Sequence, residues 1–142
     1  MPTGIDVYLK ARELVGTPYL HQGRKAGVGI DCIGVPIWVA SLLGLGDFDK
    51  ADYPRLPDGQ MLDLIESVCS DEIIQAGVLL VFRIGEAAQH CGIVSLYQPS
   101  AFGCEASHPK RDGQHLGLIH AWDMAGKVSE HRLTKDWIDK VV

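Results

Sequence analysis

Three residues along the chain have the types and spacing for nucleophilic chemistry. Cys32 stands in GIDCIGVPIW, just ahead of an apolar run of helical length. His90 stands at the opening of the CGIVSLY stretch, and His120 lies within LGLIHAW. A thiol attacks only as thiolate, and its pKa of about 8.5 falls at a helix N-terminus or beside an imidazolium. A helix start supplies free backbone N–H groups and the positive end of the macrodipole. An imidazole within hydrogen-bond reach takes the thiol proton, and a third polar group orients that imidazole. Cys32, His90 and His120 fill those roles as a Cys-His-His set if the two histidines lie side by side, about 5 Å apart, on adjacent antiparallel strands. The plain alternative makes Cys32 a small buried core thiol, and His90 and His120 satisfied strand histidines. Cys91 follows His90 in a strand, so it is expected on the opposite face, in the core.

The surrounding pattern must place these side chains. IDVYLKARELV carries apolar residues at mostly helical spacing over residues 5–15, and Gly16-Thr17-Pro18 is expected to end that helix. Residues 19–30 hold several glycines and read as a loop. Residues 32–43 read as a buried helix closed by Gly44-Leu45-Gly46. Pro36 bears on where it starts: with Asp31 as N-cap, Pro36 forfeits the bond to the Cys32 carbonyl, so either regular helix begins near Gly34 or the first turn is distorted. After the polar loop at 47–59, an amphipathic helix is predicted with Asp58 as N-cap. From Val78 the pattern turns to strands: VLLVFRI, CGIVSLY, LGLIHAW and KVSEHRL, the last two joined by the hairpin turn Asp123-Met124-Ala125-Gly126. LTKDWIDKVV reads as a closing turn or short helix, and residues 98–115 as a long loop. Helices first and strands second predict an α+β fold, with the helix carrying Cys32 packed on an antiparallel β-sheet carrying His90 and His120.

The chain has 142 residues and a net charge of -5, with ordinary globular composition. One domain over residues 1–142 is expected. The negative charge argues against broad nucleic-acid contact. No stretch has the roughly 20 apolar residues of a membrane span, so no membrane insertion is expected. The N-terminus has no secretory-signal pattern. The four cysteines are widely spaced without a CxxC pair and read as free thiols. Cys104, His108 and His115 cluster in the long loop, but their spacing matches no standard zinc pattern.

In order, the chain reads GTPYLHQG, GIDCIG, HCGIV and LIHAW. This resembles the NlpC-type cysteine peptidases, cell-wall endopeptidases with a compact papain-like fold. VFRIGEAAQHCGIV and the late LTKDW resemble the subgroup encoded with phage tails and gene transfer agents. The resemblance implies Cys32 as nucleophile, His90 as general base and His120 as the orienting residue. It implies Tyr19 lining the site near the oxyanion position, and Asp31 helping to hold the substrate; Tyr19 as a packing residue and Asp31 as a helix cap are the bland readings beside these. His21, in the loop after Tyr19, is a possible cleft residue or an ordinary polar loop residue. The implied reaction is hydrolysis of an amide in peptidoglycan stem peptides, typically between D-glutamate and the diamino acid, with no metal or cofactor. The implied setting is a phage or phage-like tail tip that docks on a tail-hub protein, is assembled in the host cytoplasm and acts in the periplasm or cell wall. A structural tail-tip subunit with the same fold and little activity is the alternative. The family's usual serine after the nucleophile is Ile33 here, so the resemblance carries the chemistry further than the specificity.

Overall fold

The computed structural model describes residues 1–56, 58–97 and 115–142. The long loop expected after Tyr97, with Cys104 and His108, therefore lies outside the described residues.

The first helix, α1 (Gly4–Arg12), starts at a capping box: Asp6 N–H donates to Thr3 Oγ1 at 3.3 Å, and Thr3 N–H donates back to the Asp6 carboxylate at 2.7 Å. It ends at Glu13, short of the expected Gly-Thr-Pro stop, and Leu14 turns into the core instead. The Gly16–Tyr19 segment is then pinned to the far end of the sheet. Gly16 N–H donates to Val128 O at 2.9 Å, Val128 N–H to Thr17 O at 2.8 Å, and Tyr19 N–H to Gly126 O at 2.8 Å. Two short strands, β1 (Arg24–Lys25) and β2 (Gly29–Ile30), pair antiparallel and lead into the turn that carries Asp31 and Cys32.

The buried helix is α2 (Gly34–Leu43), closed by Gly44 at φ 66°, a left-handed cap that glycine adopts without a Cβ penalty. Regular helix starts at Gly34, the first of the two outcomes that Pro36 allowed. Pro36 thus falls in the first turn, where its missing N–H is tolerated. The third helix, α3 (Gln60–Val68), has Gly59 rather than Asp58 at its N-cap position. Gly59 takes φ 88°, and the Asp58 side chain reaches past it to accept Gln60 N–H at 3.0 Å. The expected capping residue caps from one position further out.

Strands β3 (Leu79–Ile84), β4 (Ala87–Leu96), β5 (Leu116–Trp122) and β6 (Lys127–Arg132) form one antiparallel sheet in sequence order. β4 starts at Ala87, so His90 sits inside the strand rather than at its opening; Gly85 at φ 72° lets the chain reverse early. A short 3-10 turn (Asp123–Ala125) and Gly126 join β5 to β6.

Alternation gives the sheet two covered faces. Ile93, Ile119, Ala121 and Val128 pack against Tyr8 and Ala11 of α1 and Val35 and Val39 of α2. Leu80, Phe82, Val94 and Leu118 face the other way, under Leu133, Trp137 and Val141. The closing segment supplies this second cover through α4 (Lys135–Ile138) and the return of Val141 to Phe82. A third cluster joins Ile33, just before α2, and Ile37 of α2 to Cys91 and Val81, with Ile65 of α3 over it.

Candidate active site

Cys32 occupies the turn between β2 and α2 and is half-buried. The chain turns there because Asp31 caps α2 from outside it: its carboxylate accepts Gly34 N–H at 2.9 Å and its carbonyl accepts Val35 N–H at 3.2 Å. Pro36 has no N–H to offer the Cys32 carbonyl. The buried Cys91 thiol takes that place, 3.1 Å from the oxygen. Cys91 is a core residue, as alternation predicts, and it also touches the residue before the helix. The Cys32 thiol is held well below its ordinary pKa. The adjoining Cys91 thiol is the largest cause, burial opposes it, and His90 lowers it further by hydrogen bond and charge. Cys91 moves the other way and keeps its proton, because it is fully buried beside a sulfur that takes the charge.

His90 and His120 are brought together. His90 Nε2 lies 2.6 Å from His120 Nδ1, and both side chains are buried, at 4% and 1% exposure. Gly92 makes room for this. A Cβ there would stand 3.0 Å from His120 Cβ and 2.7 Å from Leu118 Cδ1. Aromatic rings wall the pair: Trp122 lies 4.7 Å from His90 and Trp137 5.0 Å from His120, centroid to centroid. Both tryptophans are partly buried, and their places on β5 and α4 make them the lining of the histidines. Burial, then the charges of His90 and His131, push the pKa of His120 down to about 3, so its ring stays neutral.

The pair extends to a residue that the spacing argument does not reach. His131 on β6 sets its Nε2 2.8 Å from His120 Nε2, and its Nδ1 lies 2.9 Å from its neighbour's carbonyl, Arg132 O. The signal was present in the hairpin. β5 and β6 pair His120 with Ser129 and Leu118 with His131, so His120 and His131 share a face.

Asp31 is 2% exposed and saturated with donors. One oxygen takes Arg24 Nη1 at 3.0 Å and Gly34 N–H; the other takes Gln22 N–H at 2.7 Å and the Tyr53 hydroxyl. Arg24 also reaches Asp49 at 3.0 Å and the Lys50 carbonyl at 3.1 Å, and donates to Tyr53 Oη at 2.8 Å. Gln22 is held at φ 62°, a left-handed conformation uncommon for a side-chain-bearing residue, and its amide donates to Tyr53 O at 2.8 Å. These bonds tie the 47–56 loop over the start of α2. The geometry makes Asp31 a cap and an anchor, and both Asp31 and Tyr53 line the cleft.

That cleft opens beside Cys32, with about 620 Å³ of empty space continuous with solvent. Tyr19, His21, Tyr53, Arg55 and Gln89 line it. Tyr19 is half-buried there, and its hydroxyl pKa is raised to about 12 by burial and by the charges of Cys32 and Asp31. It thus remains a hydrogen-bond donor. His21 is a lining residue, its Nε2–H donating to Tyr53 O at 3.1 Å. Among the described residues no three His, Cys, Asp or Glu side chains converge to hold a metal ion; the histidines run in a row.

No family model matches the chain. No curated protein matches it either. Among solved structures it is similar to the NlpC/p60 domain of the peptidoglycan hydrolase SagA, at 20% sequence identity and a TM-score of 0.55, over 93% of this chain and 91% of that one. With α1 and α2 on one face of an antiparallel sheet, the closing segment on the other and Cys32 at a helix start, the chain has the NlpC/p60 papain-like fold.

Proposed function

We propose that this protein is a cysteine peptidase that hydrolyses an amide bond in peptidoglycan stem peptides. The observation that carries the reading is the Cys32 thiol, lowered in pKa at a helix start, beside the buried His90–His120 pair in the fold of a peptidoglycan hydrolase domain. Cys32 Sγ attacks the amide carbonyl carbon, and its proton goes to His90. The oxyanion takes a hydrogen bond from the Cys32 backbone N–H, with Tyr19 beside it. Collapse of the tetrahedral intermediate breaks the C–N bond, and His90 returns its proton to the leaving amine. Water, deprotonated by His90, then cleaves the thioester and frees Cys32. His120 orients His90 throughout.

The bond between D-glutamate and the diamino acid is the proposed target, supported by the order of the four sequence motifs. Ile33 stands in place of the family's usual serine, so the motifs carry the chemistry further than recognition of the free amine on the stem peptide. The tail-type words VFRIGEAAQHCGIV and LTKDW support delivery by a phage-like tail tip, docked on a hub protein and acting locally on the host wall.

Purified sacculi incubated with wild type and with Cys32→Ala, and analysed by mass spectrometry of the released fragments, test this. Cleavage of stem peptides by wild type alone is expected. Equal release by both proteins overturns the role of Cys32, and no release by either, alone or on an assembled tail, overturns the endopeptidase reading.

A further inference from the structure

We propose that His131 is a positioning residue: it fixes which nitrogens of His120 and His90 carry protons, and so keeps His90 Nδ1 open for the Cys32 proton. The inference rests on the peptidase reading for its consequence in catalysis, but its argument is hydrogen-bond direction alone.

Hydrogen-bond direction is fixed from the outer end of the row. Arg132 O is a carbonyl and only accepts, so the nitrogen 2.9 Å from it, His131 Nδ1, carries hydrogen. A neutral imidazole has one donor and one acceptor, so His131 Nε2 accepts. Its partner at 2.8 Å, His120 Nε2, must then donate. His120 is neutral, so its Nδ1 accepts, and His90 Nε2 at 2.6 Å must donate to it. The remaining nitrogen of His90 is Nδ1, with an open lone pair while His90 is neutral. When it takes the Cys32 proton, His90 becomes an imidazolium that donates from both nitrogens, and nothing further along the row has to change. One backbone carbonyl thus sets the polarity of three rings.

The same row can be reversed only from its exposed end. A proton on His131 turns Nε2 into a donor. His120 must then accept at Nε2 and carry its hydrogen on Nδ1, facing His90 Nε2. His90 is left with hydrogen on Nδ1 and cannot take the thiol proton. A charged His131 and a thiolate–imidazolium pair are therefore mutually exclusive. Around His131, His120 faces it from β5 with His90 behind, Arg132 adjoins it on β6, and Trp137 of α4 faces it with Lys140 over that ring. Glu130, its neighbour on β6, is turned to the other face, bound to Arg12 and Ser95.

The full chain is compared as wild type, His131→Phe and His131→Gln. Two readouts need no substrate: the protonated nitrogen of His120, from one-bond and two-bond nitrogen–hydrogen couplings in NMR, and the pH profile of Cys32 alkylation by iodoacetamide, read by the mass of the Cys32 peptide. Wild type at pH 7 should carry hydrogen on His120 Nε2. In His131→Phe, which offers no acceptor, His120 should populate both tautomers and the Cys32 alkylation profile should move up by about one pH unit, a fall of about tenfold on its acid limb. In His131→Gln the amide oxygen accepts from His120 Nε2. It should restore most of that rate and carry it to lower pH than wild type, since an amide does not protonate. Hydrogen on His120 Nδ1 in wild type overturns the proposal, as does a Phe variant with the wild-type profile or a Gln variant as impaired as Phe. Should the Phe variant not fold, the wild-type tautomer and the Gln profile still decide. Wild type with the expected tautomer that releases nothing from sacculi overturns the peptidase reading and leaves the row as described.

Discussion

Two polar groups flank the start of α2, and they are built on opposite rules. Around Asp31, one buried carboxylate takes four donors, from Arg24, Tyr53, Gln22 and Gly34. Across the sheet, His90, His120 and His131 stand in single file, each contact made by one nitrogen on one nitrogen. The first group is charged and redundant, and it comes largely from loops. The second is largely neutral and has no redundancy, and it comes from three adjacent strands. A saturated carboxylate has no proton to exchange and fixes the backbone in place. A single file of imidazoles passes direction from one end to the other. The hub fixes the backbone and the row carries hydrogen-bond direction, and on the proposed function each can be broken without the other.

The largest expected effect is on the hub. Asp31→Ala takes from the Arg24 guanidinium, about four-fifths buried, the buried one of its two carboxylate partners, leaving Asp49 at 3.0 Å, and removes the cap of α2. Losing one partner of such a buried pair costs about 3–5 kcal/mol. Urea denaturation of the variant should show most of the chain's stability gone. A loss under about 1 kcal/mol would mean that the hub is no anchor.

His120→Leu should do the reverse. Its ring is neutral, so no buried charge is stranded. Two neighbouring nitrogens lose a partner, and stability falls by about 1–3 kcal/mol. Sacculus cleavage should fall by about 10²–10³-fold through kcat, the range of a general base that has lost its orientation. A variant that unfolds like Asp31→Ala, or that cleaves like wild type, would erase the contrast between the two groups.

The parts of this arrangement that follow local rules could be read along the chain. Cys32 before an apolar helix, His90 and His120 on neighbouring strands, and Cys91 facing the core each follow from a period of 2 or 3.6. The consequence of Pro36 was also legible, since a missing N–H is a property of one residue. Its compensation was not, because which carbonyl the Cys91 thiol meets depends on how α2 lies on the sheet. The donors on Asp31 escaped for a similar reason: Arg24 and Tyr53 come from separate loops with no periodicity to link them. His131 falls between these cases. Counting outward from the Asp123–Gly126 turn sets Ser129 opposite His120 and His131 one diagonal step away, so hairpin register alone could have found it.

Gly92→Ala sharpens the comparison from the strand side, with a smaller effect. The added methyl meets Leu118 Cδ1 at 2.7 Å, His120 Cβ at 3.0 Å and Ile119 O at 3.1 Å. Leu118 can yield, but His120 is held at both ring nitrogens. Overpacking of this kind costs about 1–3 kcal/mol. Here it should also lengthen the His90–His120 contact, seen as altered ring chemical shifts and lower kcat at unchanged KM. Unchanged His120 resonances would mean that the space over Gly92 does not set the pair.

The smallest effect lies where the two groups meet, at the carbonyl of Cys32. Cys91→Ala removes the donor that stands in for the absent Pro36 N–H, at a cost of about 1 kcal/mol. It also removes the largest cause of the low Cys32 pKa. The sign follows: a thiol whose pKa rises loses thiolate below that pKa and none well above it. Alkylation of Cys32 should therefore slow at pH 6–7 and match wild type near pH 10. Pro36→Ala offers a helical N–H to the same carbonyl, so in the Cys91→Ala background it should recover the lost stability but not the thiol pKa, because the backbone bond reaches the oxygen and not the sulfur. A double-mutant cycle separates the two functions of Cys91. Stability coupling of about 1 kcal/mol with no coupling in the alkylation profile supports the substitution of thiol for amide. Additive stabilities would show that the Cys32 carbonyl never needed a donor, and that Cys91 acts on the Cys32 thiol alone.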